Sequence, residues 1–501
     1  MTAAEHAAVN AAEEAGDRMF GPGWRNAPRP QDEPENVTRI VRPSEGRLAD
    51  GHRGTDVGNA DRLAVVADGR ARYVRAWKKW IVYDDAGVWR VDLADALVTE
   101  LAKEVPRALF RSLASMGPEQ GAEREALWKW AKRSEEARSI AAMVKLARGI
   151  PGVVVEHADL DRHPWLLNVR NGTVDLRTGD LGRHDPDHLL TTQAPVAYDP
   201  DAAAPLWQQC LETWQPDPAV RTHLQRLVGS AATGVPVEVV AANVGGGANG
   251  KGKFYGALMH TLGPDYTAVP HKSLIVAQHR DQHDTVRARL FGVRMAVAAE
   301  TEAGDLLDEA KVKELTGGDL LEARRMNEDP WQFAPSHTLF LHTNHRPRVR
   351  GTDEGIWRRL QLIPWNVTIP PGERDLHLAA KLADEAPGIL NWIIDGARQW
   401  HDHGFEIPDA ITRATAEYRT EEDHLGRFLA ECCHPDPAAS ITAGDLRALY
   451  ERWCNDTGED AMPPQALGRQ LTGRGFTTRQ VGRARTRTWF GITEIPGGER
   501  L

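Results

Sequence analysis

Apolar residues along the chain follow two periods, one typical of strands and one typical of helices. Short apolar runs at residues 73–74, 80–83 and 88–91, with a turn at residues 84–87, predict antiparallel strands. From Leu93 to Arg148 the apolar period is helical, and Asn-Gly and Thr-Gly turns predict a second strand pair between Trp165 and Leu176. Residues 1–55 have almost no apolar periodicity, so we predict a mobile tail there.

The middle of the chain has a different pattern. Between Val235 and Trp365, short apolar strands alternate with helices and glycine-rich turns, which is typical of a parallel α/β sheet. More helices are predicted as far as His403, and the acidic segment 406–424 is predicted to be a linker. Residues 425–501 then predict a separate small module of two helices and a hairpin.

Composition limits the class of protein. A chain of 501 residues, 41% of them hydrophobic, predicts about three domains with hydrophobic cores and excludes a disordered protein. The net charge of −10 gives no case for nucleic-acid binding by the chain as a whole, but residues 464–501 contain seven arginines and two glutamates. Four cysteines are too few for a disulfide framework, and no apolar stretch approaches the roughly 18 residues that span a bilayer. We therefore expect a cytoplasmic protein without membrane association.

A strand, a glycine-rich loop and a helix follow one another from Val237 to Met259. This order, with a lysine at the start of the helix, is typical of a P-loop, in which backbone N–H groups and the lysine bind nucleotide phosphates. A flexible glycine loop without a ligand is the alternative. The residues predicted to bind ATP are Gly245, Gly246, Gly247, Ala248, Asn249, Gly250, Lys251, Gly252 and Lys253.

The loop departs from the usual pattern at one position. The residue after the lysine is normally Ser or Thr, whose hydroxyl holds Mg²⁺, whereas here it is Gly252, followed by Lys253. Two interpretations remain open: water and acidic side chains hold the metal, or ATP binds but is hydrolysed slowly.

Polar residues follow later apolar strands. Glu300 and Glu302 follow the strand Met295–Ala299 and are candidates to bind Mg²⁺ and polarise the attacking water. Asn344 follows a strand that begins at Thr338 and is a candidate to orient that water. Arg358 and Arg359 precede a further strand, and a guanidinium can stabilise a transferring phosphoryl group. Each residue taken alone also fits an ordinary strand end or strand edge.

Together these motifs resemble the superfamily 3 helicases of phages, plasmids and large DNA viruses, in particular the phage or plasmid primase-helicases related to the poxvirus nucleoside triphosphatase. The resemblance rests on residues 245–251, 299–302, 313–325, 340–347 and 350–359, with weaker likeness at 168–176 and 385–392. It implies an AAA+-type α/β ATPase that assembles into a ring, usually a hexamer, and translocates on single-stranded DNA.

The resemblance also implies a role for each candidate residue. Lys251 would bind phosphate, Glu300 would be the Walker B carboxylate and Mg²⁺ ligand, and Glu302 would support it. Asn344 would be the sensor, and Arg358, in preference to Arg359, would act on the ATP of the adjacent subunit.

Two basic hairpins are the candidate DNA contacts. The first spans residues 321–333, with Arg324, Arg325 and Asn327 near its tip; an ordinary surface hairpin is the alternative. The second lies in the C-terminal module, which we interpret as a winged helix that binds duplex DNA rather than a protein-docking module. Its candidate contacts are Arg479, Arg483, Arg485 and Arg487.

These inferences combine into one hypothesis, an ATP-dependent DNA helicase that unwinds forked DNA during replication of a mobile element in the cytoplasm of a bacterial host. An ATP-binding initiator or scaffold with weak hydrolysis, and a ring ATPase of a defence or packaging system, are the alternatives. Too few residues precede the region of resemblance for a primase domain, so we expect no primer synthesis by this chain alone and a separate primase or polymerase as partner. The predicted divisions are a tail (1–55), an α+β N-terminal accessory domain (56–215), the ATPase domain (216–405), the acidic linker (406–424) and the winged helix (425–501).

Overall fold

The fold is described from a computed structural model. The described residues are 54–270, 275–277, 286–299, 305–324, 330–349 and 354–495. They form two compact units, one made of residues up to 68 with residues 99–154, the other of residues 69–98 with residues from 155 onward. The region 56–215, predicted to be one accessory domain, is thus shared between the two units, and the predicted tail lies outside the described residues up to residue 53.

The first third of the chain contains the predicted strands and helices. In order they are α1 (Asp56–Val66), β1 (Ala71–Val74), β2 (Lys79–Tyr83), β3 (Trp89–Val91), α2 (Ala96–Ala102), α3 (Glu104–Ala114), α4 (Gly121–Ser134), α5 (Ala137–Ala147) and β4 (Val154–Val155). β1, β2 and β3 pair antiparallel, which confirms the prediction for residues 73–91. In the helical unit, Asn59 of α1 is buried, donates to Ser134 Oγ at 2.9 Å and accepts from Trp130 Nε1 of α4 at 3.2 Å.

Three antiparallel strands and two helices precede the central sheet. They are β5 (Leu166–Val169), β6 (Gly172–Asp175), β7 (Leu181–Gly182), α6 (Pro205–Trp214) and α7 (Pro218–Thr233). α7 begins where the sequence predicts, because the side chain of Asp217 accepts from Ala219 N at 2.9 Å and Pro218 occupies the first turn. It ends at Gly234, which has the left-handed conformation that favours glycine.

Five of the described strands form a parallel sheet in the order β14-β8-β13-β10-β9. The elements of this region are β8 (Val240–Val244), α8 (Lys251–Tyr266), β9 (Thr267–Ala268), β10 (Met295–Ala299), α9 (Glu309–Thr316), β11 (Leu321–Ala323), β12 (Trp331–Phe333), β13 (Thr338–Thr343), α10 (Glu354–Trp357), β14 (Leu360–Pro364), α11 (Leu378–Asp384) and α12 (Ala386–His403). The predicted parallel α/β sheet is confirmed.

The central sheet is buried on both faces. On β8, Ala241 faces the core that α6, α7, α8 and α12 complete, whereas Val240 and Ala242 face the opposite core, to which α9 and α10 contribute. The same alternation continues along β13 and β10. Because neither face meets water, most residues of these strands are apolar, which is why the sequence shows apolar runs rather than alternation.

The segment predicted to be an acidic linker contains a helix, α13 (Asp409–Glu422), in which Ile411 and Tyr418 are buried against the two cores. The C-terminal module follows with α14 (His424–Cys432), β15 (Cys433–Thr442), α15 (Ala443–Thr457), α16 (Pro464–Gly473), β16 (Thr477–Val481) and β17 (Thr486–Glu494). Its strands pair antiparallel in the order β15-β17-β16, and its side chains form a core of their own. Among the described residues no helix is long and apolar enough to cross a membrane.

We predict that Gly396→Ala destabilises the protein. Gly396 lies inside α12 against α7, and a Cβ there would stand 2.2 Å from the carbonyl oxygen of Gln225, which is backbone and cannot rotate away. The overlap is expected to lower the free energy of unfolding by about 1–3 kcal/mol. Urea and thermal denaturation measure the change.

Gly256→Ala is the matched control for this substitution. Gly256 also lies inside a helix, α8, but a Cβ there meets no atom within 4 Å. The better helix propensity of alanine should leave stability unchanged or raise it by up to about 1 kcal/mol. Equal stability of the two variants would show that the α7–α12 contact does not limit the fold.

Candidate active site

The carboxyl ends of three neighbouring parallel strands meet at one edge of the central sheet. Val244, the last residue of β8, pairs with Thr343 at the end of β13, and His342 pairs with Ala299 at the end of β10. β13 lies between the other two strands. The loop that begins at Gly245 and the residue Asn344 therefore leave the sheet side by side, and Glu300 continues from the third strand.

The two candidate acidic residues follow β10 in the sequence. The chain is described to Ala299, and Glu300 and Glu302 lie outside the described residues. The strand that leads to them, however, is held in register with β13 along its five residues.

Two glycines of the loop are required by close packing. At Gly245 a Cβ would lie 2.2 Å from the carbonyl oxygen of Trp365, and at Gly250, where φ is +91°, it would lie 2.3 Å from the ring of Trp214. At Gly246 and Gly247, by contrast, a Cβ meets no atom within 4 Å. The loop is thus packed at its two ends and open in its middle, where a ligand can approach the backbone.

Lys251 is the first residue of α8 and is 1% exposed. Its Nζ donates to the carbonyl oxygen of Gly245 at 2.6 Å, and burial lowers the pKa of its ammonium to about 8. The carbonyl oxygen of Gly246 lies 3.5 Å from the same ammonium, and no acidic side chain of the described residues pairs with it, so a phosphate brought into the loop would stabilise its charged form.

A polar network holds the loop against the sheet. Asn249 accepts from Lys251 N at 3.3 Å and donates to the carbonyl oxygen of Trp365 at 3.3 Å. The Trp365 indole in turn donates to Asn243 Oδ1 of β8 at 2.8 Å. Sequence reasoning missed Asn243 and Trp365; the signal for Asn243 was a fully buried amide in an otherwise apolar strand.

Gly252, at the position where a P-loop normally has Ser or Thr, has room for a side chain. Gly252 is exposed, and a Cβ there would lie 3.8 Å from Cε1 of His342, an ordinary contact distance. The His342 ring lies 5.8 Å from the ring of Tyr255 on α8. Lys253 is exposed on the first turn of the same helix.

Asn344 is exposed in a tight turn after β13. The turn is closed by Thr343, whose Oγ1 accepts from His345 N at 3.1 Å and donates to the carbonyl oxygen of His345 at 2.8 Å. The amide of Asn344 is therefore presented to solvent at the same edge as the loop.

The two candidate arginines differ in their surroundings. Arg359 is 8% exposed at its side chain and is bound to Glu238 Oε1 at 2.7 Å and to the carbonyl oxygen of Gly355 at 2.7 Å. Arg358 is 60% exposed and bonds the other oxygen of the same carboxylate at 2.9 Å. Arg359 thus has the contacts of a structural residue, whereas the Arg358 guanidinium can reach a second molecule. Glu238, which holds both, was missed by sequence reasoning.

The first basic hairpin is formed by β11 and β12, which pair antiparallel as predicted. Arg324 is exposed directly after β11, whereas Arg325 and Asn327 lie outside the described residues. The base of the hairpin is packed through the rings of Trp331 and Phe291, whose centroids are 5.0 Å apart.

The arginines of the second basic hairpin, β16–β17, do not all lie on one face. Arg479 pairs with Thr488 and Arg487 with Gln480, so these two arginines project from opposite faces of the hairpin. Arg483 and Arg485 lie in the exposed connection between the strands. Sequence reasoning grouped the four as one surface, but only the strand register decides which arginines share a face.

Two of the four cysteines lie in the C-terminal core. Cys433 and Cys454 are buried in the core of the C-terminal module, and burial raises the pKa of the Cys433 thiol to about 12. Within the described residues no group of three or more His, Cys, Asp or Glu could hold a metal ion.

Comparison with known proteins gives two family matches. Residues 60–216 match the family described as D5 N terminal like, and residues 243–359 match a family of unknown function, DUF5906. The second match contains the loop, Asn344 and both arginines.

Individual relatives come from large DNA viruses. A "putative helicase" of Acanthamoeba polyphaga mimivirus is 26% identical over 425 residues, covering 76% of this chain and 43% of its own length. A "putative primase" of African swine fever virus is 25% identical over 325 residues, covering 59% of this chain and 34% of its own length. A "putative helicase" of Frog virus 3 is 25% identical over 180 residues, covering 32% of this chain and 18% of its own length.

Among solved structures, the apo C-terminal region of NrS-1 aligns with a TM-score of 0.47 and 11% sequence identity, covering 84% of this chain and 96% of its own. The chain spans less than half the length of the viral relatives it matches. Residues 60–216 of the chain are thus similar to the family described as D5 N terminal like, and the viral relatives to which the chain is similar are named as putative helicases and putative primases.

Proposed function

We propose that the protein is an ATP-dependent DNA helicase of superfamily 3, with an AAA+-type P-loop ATPase core that works as a ring, usually a hexamer. The relatives named as helicases and primases support an enzyme of the NTPase and helicase type. The observation that carries the proposal is Lys251, a nearly fully buried ammonium under an open glycine loop, next to the exposed amide of Asn344.

The proposed chemistry is attack of water on the γ-phosphate of ATP. Lys251 and the loop N–H groups bind the phosphates, and the amino end of α8 adds its positive dipole. Glu300 polarises the water with support from Glu302, and Asn344 orients it. Arg358 reaches the ATP of the neighbouring subunit and stabilises the charge that spreads over the transferring group.

Mg²⁺ would be held by Glu300 together with the nucleotide phosphates, and it would neutralise phosphate charge. Gly252 offers no hydroxyl oxygen, so we propose that water fills this ligand position. Slow hydrolysis, as in an ATP-binding initiator or scaffold, is the second candidate function and rests on the same glycine. A ring ATPase of a defence or packaging system would use the same residues but would not separate DNA strands.

DNA contacts are proposed on the two hairpins. Arg324, with Arg325 and Asn327, would grip a single strand inside the ring. The C-terminal module is proposed to be a winged helix on duplex DNA, supported by its order of helix, strand, two helices and hairpin. Because Arg479 and Arg487 lie on opposite faces, we propose that Arg483 and Arg485 at the tip contact the duplex together with one of them.

Lys251→Ala is expected to lower DNA-stimulated ATP hydrolysis by about 100-fold or more, because the phosphate loses its principal cation. The matched control is Lys381→Ala, which removes an exposed lysine of α11 paired with Asp375. Steady-state ATPase with and without single-stranded DNA, and strand displacement on forked DNA, are the measurements. An ATPase rate that is changed neither by DNA nor by the Lys251 substitution would contradict the helicase proposal.

ATP hydrolysis without strand displacement would favour the defence or packaging ATPase.

Nucleotide binding is expected to weaken as pH rises above about 8. The pKa of Lys251 is lowered to about 8 in the free protein, and a bound phosphate favours the charged ammonium. Binding at pH 9 must therefore take up a proton, and affinity should fall by up to about tenfold per pH unit. Titration of a fluorescent nucleotide between pH 7 and pH 10 measures it. Lys251→Arg should remove this dependence, since arginine stays charged; a wild-type affinity flat across the range would contradict the assignment.

Arg358→Ala is expected to reduce turnover on the order of 10³-fold without changing the melting temperature. Arg359→Ala should instead lower the melting temperature, because it removes a buried partner of Glu238. If Arg358 acts across subunits, mixing the Arg358→Ala and Lys251→Ala proteins should restore part of the ATPase activity. Mixtures no more active than their components would indicate that Arg358 acts elsewhere.

A further inference from the structure

The turn that carries Asn344 is attached to α13 by several contacts. Val349 N donates to Glu422 Oε2 at 2.8 Å, and the Tyr418 hydroxyl donates to the carbonyl oxygen of Pro347. The Arg346 guanidinium bonds Glu421 and lies 5.8 Å from the Tyr418 ring. The residues directly after Asn344 therefore cannot shift without moving α13.

Arg348 lies in the middle of this segment and also contacts the chain that follows β10. Its N–H donates to the carbonyl oxygen of Asp305 at 2.7 Å, and its own carbonyl accepts from Leu307 N at 2.8 Å. Residues 305–307 come shortly after the candidate carboxylates Glu300 and Glu302. One residue thus joins, through its backbone, the segments that follow two of the three strand ends of the candidate site.

The side chain of Arg348 extends to the C-terminal module. Its Nη2 lies 3.3 Å from Glu459 Oε2 and 3.1 Å from His424 Nε2. Glu459 also bonds His424 at 2.8 Å and Arg427 at 3.4 Å. One carboxylate in the module is therefore the common partner of Arg427 and His424 of the module and of Arg348 from the ATPase core.

Glu459 is held firmly by the module. It follows Gly458, which ends α15 in the left-handed conformation, and its N–H donates to the carbonyl oxygen of Cys454 at 2.8 Å. α15 contributes Tyr450, Trp453 and Cys454 to the separate core of the module. A change in the position of the module is therefore transmitted to the Glu459 carboxylate rather than absorbed by a flexible loop.

The contact is partly shielded from solvent. In this contact the side chain of Glu459 is 21% exposed and that of Arg348 is 40% exposed, so the pair is screened less than a fully exposed pair. The Arg452–Glu494 pair, which lies inside the module, is 67% and 52% exposed with 3.5 Å between its charged atoms, so we expect it to contribute less.

We propose that the Arg348–Glu459 contact couples DNA bound at the C-terminal module to ATP turnover, because it transmits a shift of the DNA-bound module to the turn of Asn344. The inference rests on the proposed function, because it needs a nucleotide at the loop and DNA at the module. By linkage, the two effects are equal in size. The factor by which bound nucleotide changes the affinity of the module for duplex DNA is the factor by which bound DNA changes the affinity of the loop for nucleotide.

Glu459→Gln in the full chain tests this coupling, since it keeps the shape of the side chain and removes its charge. We expect the stimulation of ATPase by DNA to fall by about fivefold or more. The DNA-free rate and the KM for ATP should stay within about twofold of wild type, as should DNA affinity measured by fluorescence anisotropy without nucleotide. The difference in DNA affinity with and without a non-hydrolysable ATP analogue should also shrink.

Two further variants complete the design. Glu494→Gln breaks an ion pair that lies wholly inside the module and should leave stimulation within about twofold of wild type. Arg348→Gln should reproduce the loss, and the double variant Arg348→Gln/Glu459→Gln should lose no more than either single variant, because both act through one contact.

The outcomes separate the coupling from the proposed function. DNA-stimulated ATPase that is the same in wild type and Glu459→Gln overturns the coupling and leaves the helicase intact. A wild-type protein that binds no nucleotide, or whose ATPase ignores DNA, overturns the proposed function and the coupling with it. An equal loss in Glu494→Gln would show that module stability, not this contact, is responsible, and would also overturn the coupling.

Discussion

A parallel sheet covered on both faces confines its chemistry to the ends of its strands. Every residue of β8 and β13 that points into a core must be apolar or internally bonded, because no water reaches it. Polar groups can therefore act only beyond Val244, Thr343 and Ala299, where three strands stop at one edge. The glycine loop, Asn344 and the route to Glu300 all follow from that constraint.

The same burial explains the state of Lys251. Its ammonium sits at the end of a buried strand with the Gly245 carbonyl as close partner, and desolvation lowers its pKa to about 8. Burying a charge without a counter-ion is costly, and a phosphate would remove that cost. Burial of the Lys251 ammonium is thus unfavourable in the free protein, and binding of an anion relieves this cost and so favours the complex.

Contacts made by α13 and the C-terminal module connect the candidate-site edge of the sheet to the C-terminal part of the protein. α13 lies in the segment expected to be a linker, yet its Glu421 and Glu422 bind the residues that follow Asn344, and Glu459 of the next module binds Arg348. Acidic composition had suggested a linker. In the folded chain Glu421, Glu422 and Asp423 have specific basic or backbone partners, and the first two bind the residues that follow Asn344.

The sequence by itself determined the parallel sheet, the glycine loop before α8, both hairpins and the ends of helices such as α7, because strand period, helix caps and turn residues are local signals. The tertiary structure supplied the physical difference between Arg358 and Arg359, since that difference depends on Glu238, which is distant in sequence. It likewise decided which wing arginines share a face, the Asn243–Trp365 support of the loop and the Arg348–Glu459 contact. Each joins residues far apart in the chain, and no local pattern encodes which distant side chain folding will bring near.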